Sequence, residues 1–170
     1  IVEVYDLAQD QGQYYFAMEF VEGVDLKHLV KRAAQIGKSL TPQIIAYIVS
    51  EICNGLDYAH NIRDKNGLPL GIIHRDVTPH NVMISFDGNV KLMDFGIAKA
   101  TMSSNLTQAG KLKGKLAYMS PEKKKKNELD HRSDLFAVGL ILYELLVGQR
   151  LLGGETVGEV LAKVASVNIK

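Results

Sequence analysis

The sequence predicts an α+β fold, mostly helical, with two small antiparallel β-hairpins. Three observations predict it. Two stretches, from Thr41 to about His60 and from His131 to Val147, carry apolar residues at helical spacing. Two pairs of β-rich runs each flank a turn-forming tetrapeptide, Gln9-Asp10-Gln11-Gly12 and Phe86-Asp87-Gly88-Asn89. The 170 residues, 46% hydrophobic and 23% charged, suit one soluble globular domain with a substantial core.

The first hairpin joins the runs Ile1–Leu7 and Tyr14–Val21. Asp25 to Ala34 reads as a short helix. Thr41-Pro42 is an N-cap with proline at the first helical position, and Ile44, Ile45, Ile48, Val49, Ile52 and Leu56 follow on one face. Cys53 lies on that apolar face and reads as core filler. After the polar turn Asp64-Lys65-Asn66-Gly67, the runs Val82–Ser85 and Val90–Met93 form the second hairpin. Residues 97–119 lack periodicity and read as a long loop. Ser120-Pro121-Glu122 again resembles a cap with proline behind it. Gly148 ends the apolar helix that starts at His131, and Thr156-Val157-Gly158-Glu159 has the spacing of a capping box opening a last helix. No repeat and no linker-like stretch divides the chain.

Bulk properties exclude several classes. The formal net charge of +1 names no partner by itself. A single cysteine permits no internal disulfide and points to a reducing, cytoplasmic compartment. The most apolar run, Leu135 to Val147, is too short to span a bilayer and contains Glu144, so no membrane contact is expected of this segment. The chain opens in strand-like sequence with neither initiator Met nor cap, as expected of a piece of a longer protein. His28, His60, His80 and His131 show no metal-ligand spacing and are assigned no chemistry.

The chemistry-bearing residues come in an ordered set. His74-Arg75-Asp76 is followed five residues beyond Asp76 by Asn81, and thirteen residues after that by Asp94-Phe95-Gly96. Ser120-Pro121-Glu122 closes the segment. Singly these motifs are weak signals; in this order, with a hairpin between the first two, they are strong. The set resembles the signature of the protein kinases: catalytic loop, metal-binding tripeptide, activation loop and closing motif.

The resemblance implies a protein-kinase-like fold and ATP-dependent phosphoryl transfer to Ser or Thr hydroxyls of a protein substrate, with Mg²⁺, or Mn²⁺ in its place, as cofactor. Asp76 matches the carboxylate that accepts the substrate hydroxyl proton. Asn81 and Asp94 match the metal ligands, oxygen donors suited to a hard cation. Met18 matches the residue behind the adenine pocket, and Glu19-Phe20-Val21 the hinge whose backbone bonds the adenine edge. Asp25 matches an acidic residue near the ribose, and Met83 the apolar floor under the base. For Met18 and Met83, plain core packing is the alternative. Val4, His74, Phe95 and Asp134 match the stack joining the two lobes, with Asp134 anchoring the catalytic-loop backbone; Gly96 permits the turn that presents Asp94.

The chain also departs from the family pattern. Neither a Gly-rich loop nor a strand lysine paired to a helix glutamate is found, so it reads as a partial kinase domain: residues 1–22 a remnant of the small lobe and hinge, residues 23–170 a large lobe lacking its last helices. Weak ATP binding and little or no turnover are expected of it, with Glu122 left without its usual arginine. Thr78 stands where the family carries a lysine, and Lys115 where it carries a threonine that neighbours it in space. Either Lys115 supplies the ammonium and Thr78 the hydroxyl, or both are drift in a chain without activity. The phrasing of the catalytic loop, with Gly71-Ile72-Ile73 before it, is similar to eukaryotic-type bacterial Ser/Thr kinases.

Arg75 beside Asp76 marks kinases switched by activation-loop phosphorylation, with Thr101, Ser103, Ser104 and above all Thr107 as candidates, and self-association as a route to autophosphorylation. The lysines at 111, 113, 115 and 123–126 form either a solvated face or a docking strip for acidic partners. No aromatic residues interleave them, which argues against nucleic acid. The competing reading from another class is a pseudokinase-like interaction module without transfer activity.

Overall fold

Gln11 and Gly12 both adopt positive φ, 48° and 79°, the backbone of a tight hairpin turn that matches strand twist. They join β1 (Val4–Asp10) to its antiparallel partner β2 (Gln13–Met18). The computed structural model describes residues 1–95, 114–124 and 129–167. β1 begins later than the apolar run predicts because Val2 leaves the hairpin: it is buried, and its N–H donates to the Leu92 carbonyl at 2.8 Å.

The second sheet has three strands, not the two of the predicted hairpin. β3 (Gly23–Asp25), β4 (Val82–Ser85) and β5 (Val90–Leu92) lie antiparallel in that order. A three-residue strand is too short for a period-two signal, so the sequence hides it. Gly23 makes the pairing possible: a Cβ there would sit 2.1 Å from the Ile84 carbonyl oxygen. In this register Asp25 faces Met83 across the β3–β4 pair.

The helices start where their caps dictate. Asp25 caps α1 (Leu26–Gln35), its Oδ1 accepting the His28 N–H at 2.8 Å. Thr41 caps α2 (Pro42–Asn61), and a 3₁₀ turn covers Pro79–Asn81. α3 (Pro121–Lys124) is a single turn. α4 (Arg132–Val147) ends on Gly148 at φ 76°, the left-handed stop glycine tolerates best. α5 (Val157–Ser166) opens on Thr156 Oγ1, which accepts the Glu159 N–H, while the Glu159 carboxylate accepts the Glu155 N–H. Of the predicted long loop, residues 114–116 form a helical turn; the rest up to residue 113 lies outside the described residues.

The core joins these elements. Ile48, Ile52 and Leu56 of α2 pack with Val138 and Ile141 of α4, with Val82 and Leu92 of the sheet, and with Val160 and Val164 of α5. Full burial contributes roughly 1.5–3 kcal/mol for each such large side chain. Cys53 packs against this cluster from its edge. No helix among the described residues is long and apolar enough to cross a membrane. The segment 74–81 is held between α2, α4 and β4 by this core, and it carries the site.

Candidate active site

Asp134, in the first turn of α4 and 1% exposed, organises the segment from beneath. Its two oxygens accept the His74 N–H at 2.8 Å and the Arg75 N–H at 2.9 Å, and Oδ2 also lies 2.9 Å from His60 Nε2. Three donors satisfy a carboxylate that would otherwise be costly to bury. Arg75 needs such an anchor, because it holds φ +65°, a left-handed conformation disfavoured for a side chain with a Cβ.

His74 is fully buried. Its Nε2 meets the Met93 carbonyl at 3.0 Å, and its Nδ1 meets the Asp76 N–H at 3.3 Å. A carbonyl only accepts and an amide N–H only donates, so the neutral ring carries its proton on Nε2. Burial pushes the imidazole below its ordinary value of 6.5, against the opposing charge of Asp134. The ring stacks on Phe95 with centroids 4.4 Å apart. Val4, expected in the same stack, is exposed on the wall of the adjoining cleft.

Asp76 is itself 8% exposed. Asn81 Nδ2 donates to its carbonyl at 2.7 Å and lies 3.3 Å from its Oδ2. Lys115 Nζ reaches in from the opposite wall to 2.8 Å from the same Oδ2. Thr78, 2% exposed, has a hydroxyl with no hydrogen-bond partner among the described residues. Asp94 follows β5 with φ +58°, again left-handed, and projects its carboxylate to solvent.

A cleft of about 740 Å³ runs between the β1–β2 hairpin and α2, with Met18, Tyr58, Asp76, Asp94, Phe95 and Lys115 among its walls. The structure therefore brings Met18, Asp76, Asp94, Phe95 and Lys115 to one space. Met83, Val21 and Asp25 lie outside that lining, on the neighbouring β3–β4 pair and its approach. The Asp25 carboxylate is engaged locally, at 2.7 Å from His28 Nδ1 and 3.9 Å from His80 Nδ1. Although burial works against it, those His28 bonds hold Asp25 below its ordinary 3.8. Among the described residues, the Glu19 carbonyl and the Val21 N–H enter none of the backbone hydrogen bonds made outside helices and strands. Gly96 and Thr107 lie outside the described residues.

Glu122 corrects an expectation. Its carboxylate is not orphaned: Ser133 Oγ donates to Oε1 at 2.7 Å. Partial burial is the largest influence and opposes ionisation, but the Ser133 bond and the other hydrogen bonds to the carboxylate together hold the group below its ordinary 4.5.

Three contributors escaped the sequence reading. His60 was assigned no chemistry, yet its ring supports Asp134; the signal was its place one turn after Leu56 on the buried face of α2. Lys91, between Val90 and Leu92 on β5, pairs with the Glu19 carboxylate, and Lys123 donates to the Arg75 carbonyl. Nothing local in the sequence marks either contact.

Among the described residues no cluster of three or more His, Cys, Asp or Glu side chains is arranged to hold a metal. Asn81 and Asp94 carry oxygen atoms of the kind a hard cation such as Mg²⁺ takes, one or two from the protein together with waters and phosphates. The amide of Asn81 spends its nitrogen on Asp76 and has its oxygen left as a donor, and the Asp94 carboxylate is exposed beside the cleft.

The structure thus shows a buried aspartate held by an asparagine, a backbone-anchoring aspartate on a core helix and a left-handed aspartate on a cleft. The sequence matches the protein kinase domain over residues 1–168, and the chain belongs to that family. It is 36% identical over 150 residues to tyrosine-protein kinase MasK of Myxococcus xanthus, covering 88% of this chain and 23% of that protein. It is 38% identical over 156 residues to the probable serine/threonine-protein kinase PknB of Lactococcus lactis, covering 92% and 23%. Serine/threonine-protein kinase PrkC of Bacillus subtilis is 35% identical over 156 residues, covering 92% and 22%. The chain thus spans under a quarter of the length of these relatives.

Proposed function

We propose that the chain serves ATP-dependent phosphoryl transfer to protein hydroxyls, Ser and Thr before Tyr, with Asp76 as proton acceptor and Asn81 and Asp94 as Mg²⁺ ligands. One observation carries the reading. The Asp76 carboxylate is buried, oriented by Asn81, and set on the wall of a cleft large enough for a nucleotide. In such a site a carboxylate removes the acceptor proton as the acceptor oxygen bonds the γ-phosphorus and the bond to the ADP oxygen breaks. Mg²⁺, when bound, supplies charge neutralisation at the phosphates.

The donor side has matching parts. The Glu19 carbonyl and Val21 N–H offer an acceptor and a donor of the kind an adenine edge needs, with Met18 behind them and Asp25 and Met83 facing each other on β3 and β4. Most relatives named above are serine/threonine kinases and one is a tyrosine kinase, so acceptor preference is part of the test. A cytoplasmic setting, and control through Arg75 and phosphorylation at Thr107, belong to the same proposal.

The test is phosphate transfer from radiolabelled ATP by the complete gene product, followed by phosphoamino-acid analysis. Label on Ser and Thr is expected, and Asp76→Asn or Asp94→Asn should each lower the rate about 100-fold or more. A protein that binds ATP but transfers nothing, in native and variant forms alike, would instead be an interaction module.

A further inference from the structure

Asp76 and Lys115 line two cavities at once. One is the large cleft already described; the other is a small cavity of about 20 Å³ on the far side of the pair. That volume admits one oxygen-sized group. Its walls include the cationic residues Arg75, Lys115 and Lys123, the carboxylates of Asp76 and Asp134, and the Thr78 hydroxyl. Among the described residues lining either cavity, only Asp76 and Lys115 line both. They form the wall shared by the two cavities.

Two further observations bear on this wall. Lys115 Nζ lies 2.8 Å from Asp76 Oδ2 on a side chain that is 42% exposed. It therefore reaches the carboxylate from outside and retains room to serve a second anion. Thr78 Oγ1, by contrast, is buried, lines the small cavity and has no partner among the described residues. A buried hydroxyl without a partner costs free energy and calls for a ligand. Arg75 and Lys123 line only the small cavity, and Lys123 already donates to the Arg75 carbonyl.

From this geometry we infer that Lys115 is the cation that neutralises the phosphoryl group in transit at Asp76, and that the Thr78 hydroxyl donates to an oxygen of the same group. The inference rests on the kinase reading above and adds two residues to it. Charge spreads over the oxygens of the transferring group as the bond to ADP lengthens. An ammonium already seated against the acceptor's base meets that charge without further reorganisation. The three residues divide the work: Asp76 takes the hydroxyl proton, Lys115 offsets the phosphoryl charge, and Thr78 supplies a neutral donor.

The experiment uses the complete gene product, native and with Lys115→Met, Lys115→Arg, Thr78→Val and the exchange Thr78→Lys with Lys115→Thr. Lys115→Met should lower kcat about 100-fold while the KM for ATP stays within about threefold, with Lys115→Arg retaining most of the rate. A second readout does not need turnover: affinity for ADP alone, and for ADP with aluminium fluoride in place of the transferring phosphate. Lys115→Met should weaken the second about 100-fold and leave the first unchanged, which also certifies that the variant is folded. Thr78→Val should show the same pattern at about tenfold. The exchanged protein should outperform both Lys115→Met and its worse single component.

Unchanged kcat and unchanged aluminium fluoride affinity in Lys115→Met would overturn the inference and leave the kinase reading intact. A faster Lys115→Met would overturn it too, by showing that the lysine blocks Asp76. A native protein that neither transfers phosphate nor binds ADP would remove the kinase reading, and this inference with it.

Discussion

His74 is held by a carbonyl, an amide N–H and an aromatic face, and the amide N–H, which needs a bare Nδ1 to accept it, requires the neutral ring. Above pH 6.5 both the folded and the unfolded chain keep it neutral, so it contributes nothing to pH dependence there. Below 6.5 the unfolded chain takes up a proton that the buried site resists, so stability falls as pH is lowered through that value. Asp25 and Glu122 are held below their ordinary 3.8 and 4.5, so they remove stability only in a lower window. Urea unfolding at about pH 7.5 and about pH 5.5 separates the two effects. His74→Phe should be less stable by about 2–3 kcal/mol at the higher pH, having lost the bonds to the Met93 carbonyl and the Asp76 N–H. Its further loss on acidification should be the smaller of the two proteins; equal losses would mean that His74 is not the titrating group. At this level the sequence named candidates and said little of what supports them. Motif order singled out Asp76, Asn81, Asp94 and Asp134 as candidates; the structure places Asn81 against Asp76 and Asp134 beneath His74 and Arg75. The sequence could not show His60 beneath Asp134, or Ser133 beside Glu122, because those contacts cross between elements distant in sequence.

Elements with strong local signals formed where their residues dictate. Thr41-Pro42 opens α2, Gly148 closes α4, and Phe86-Asp87-Gly88-Asn89 turns β4 into β5. β3 had no such signal, since three residues cannot show alternation, and its existence depends on a steric allowance at Gly23. That allowance has a measurable consequence. Gly23→Ala would place a Cβ 2.1 Å from the Ile84 carbonyl oxygen and 2.7 Å from Ser85 Cα, both backbone atoms that cannot step aside without breaking the pair. The substitution should cost about 1–3 kcal/mol in denaturant unfolding. The amides of Gly23–Asp25 should exchange faster while those of α2 do not. It should also move Asp25 away from Met83, so affinity for ATP should fall with stability. By contrast, Gly67→Ala meets nothing within 4 Å and strains only its own φ of +81°, so it should leave ATP affinity untouched. If both substitutions acted alike, the close approach of β3 to β4 would not be what Gly23 provides.

The molecule as a whole is unevenly secured. α2, α4, β5 and α5 share one continuous core with Ile52, Leu56, Ile141 and Val164 fully buried. The β1–β2 hairpin has little of its own: Tyr5 is 64% exposed, Leu7 55% and Tyr14 52%. A two-stranded hairpin is marginally stable in water, so its order depends on its attachments. The structure shows a buried Val2 bonded to the Leu92 carbonyl, and the Glu19–Lys91 ion pair at the far end of β2. Because both attachments reach β5, the hairpin is tied to the strand that leads directly into Asp94. Native-state hydrogen exchange should therefore show two levels of protection. Amides of α2 and α4 should report the global unfolding free energy, and those of β1–β2 a lower one. Lys91→Met removes one attachment without touching the core, and exposed pairs contribute modestly, so hairpin exchange should quicken by about threefold while α2 and α4 keep their rates. A uniform acceleration across all elements would show a single cooperative unit. Confinement to the hairpin would show that β1–β2 opens by itself, with Lys91 on β5 setting how often the Met18 side of the cleft comes away from Asp94.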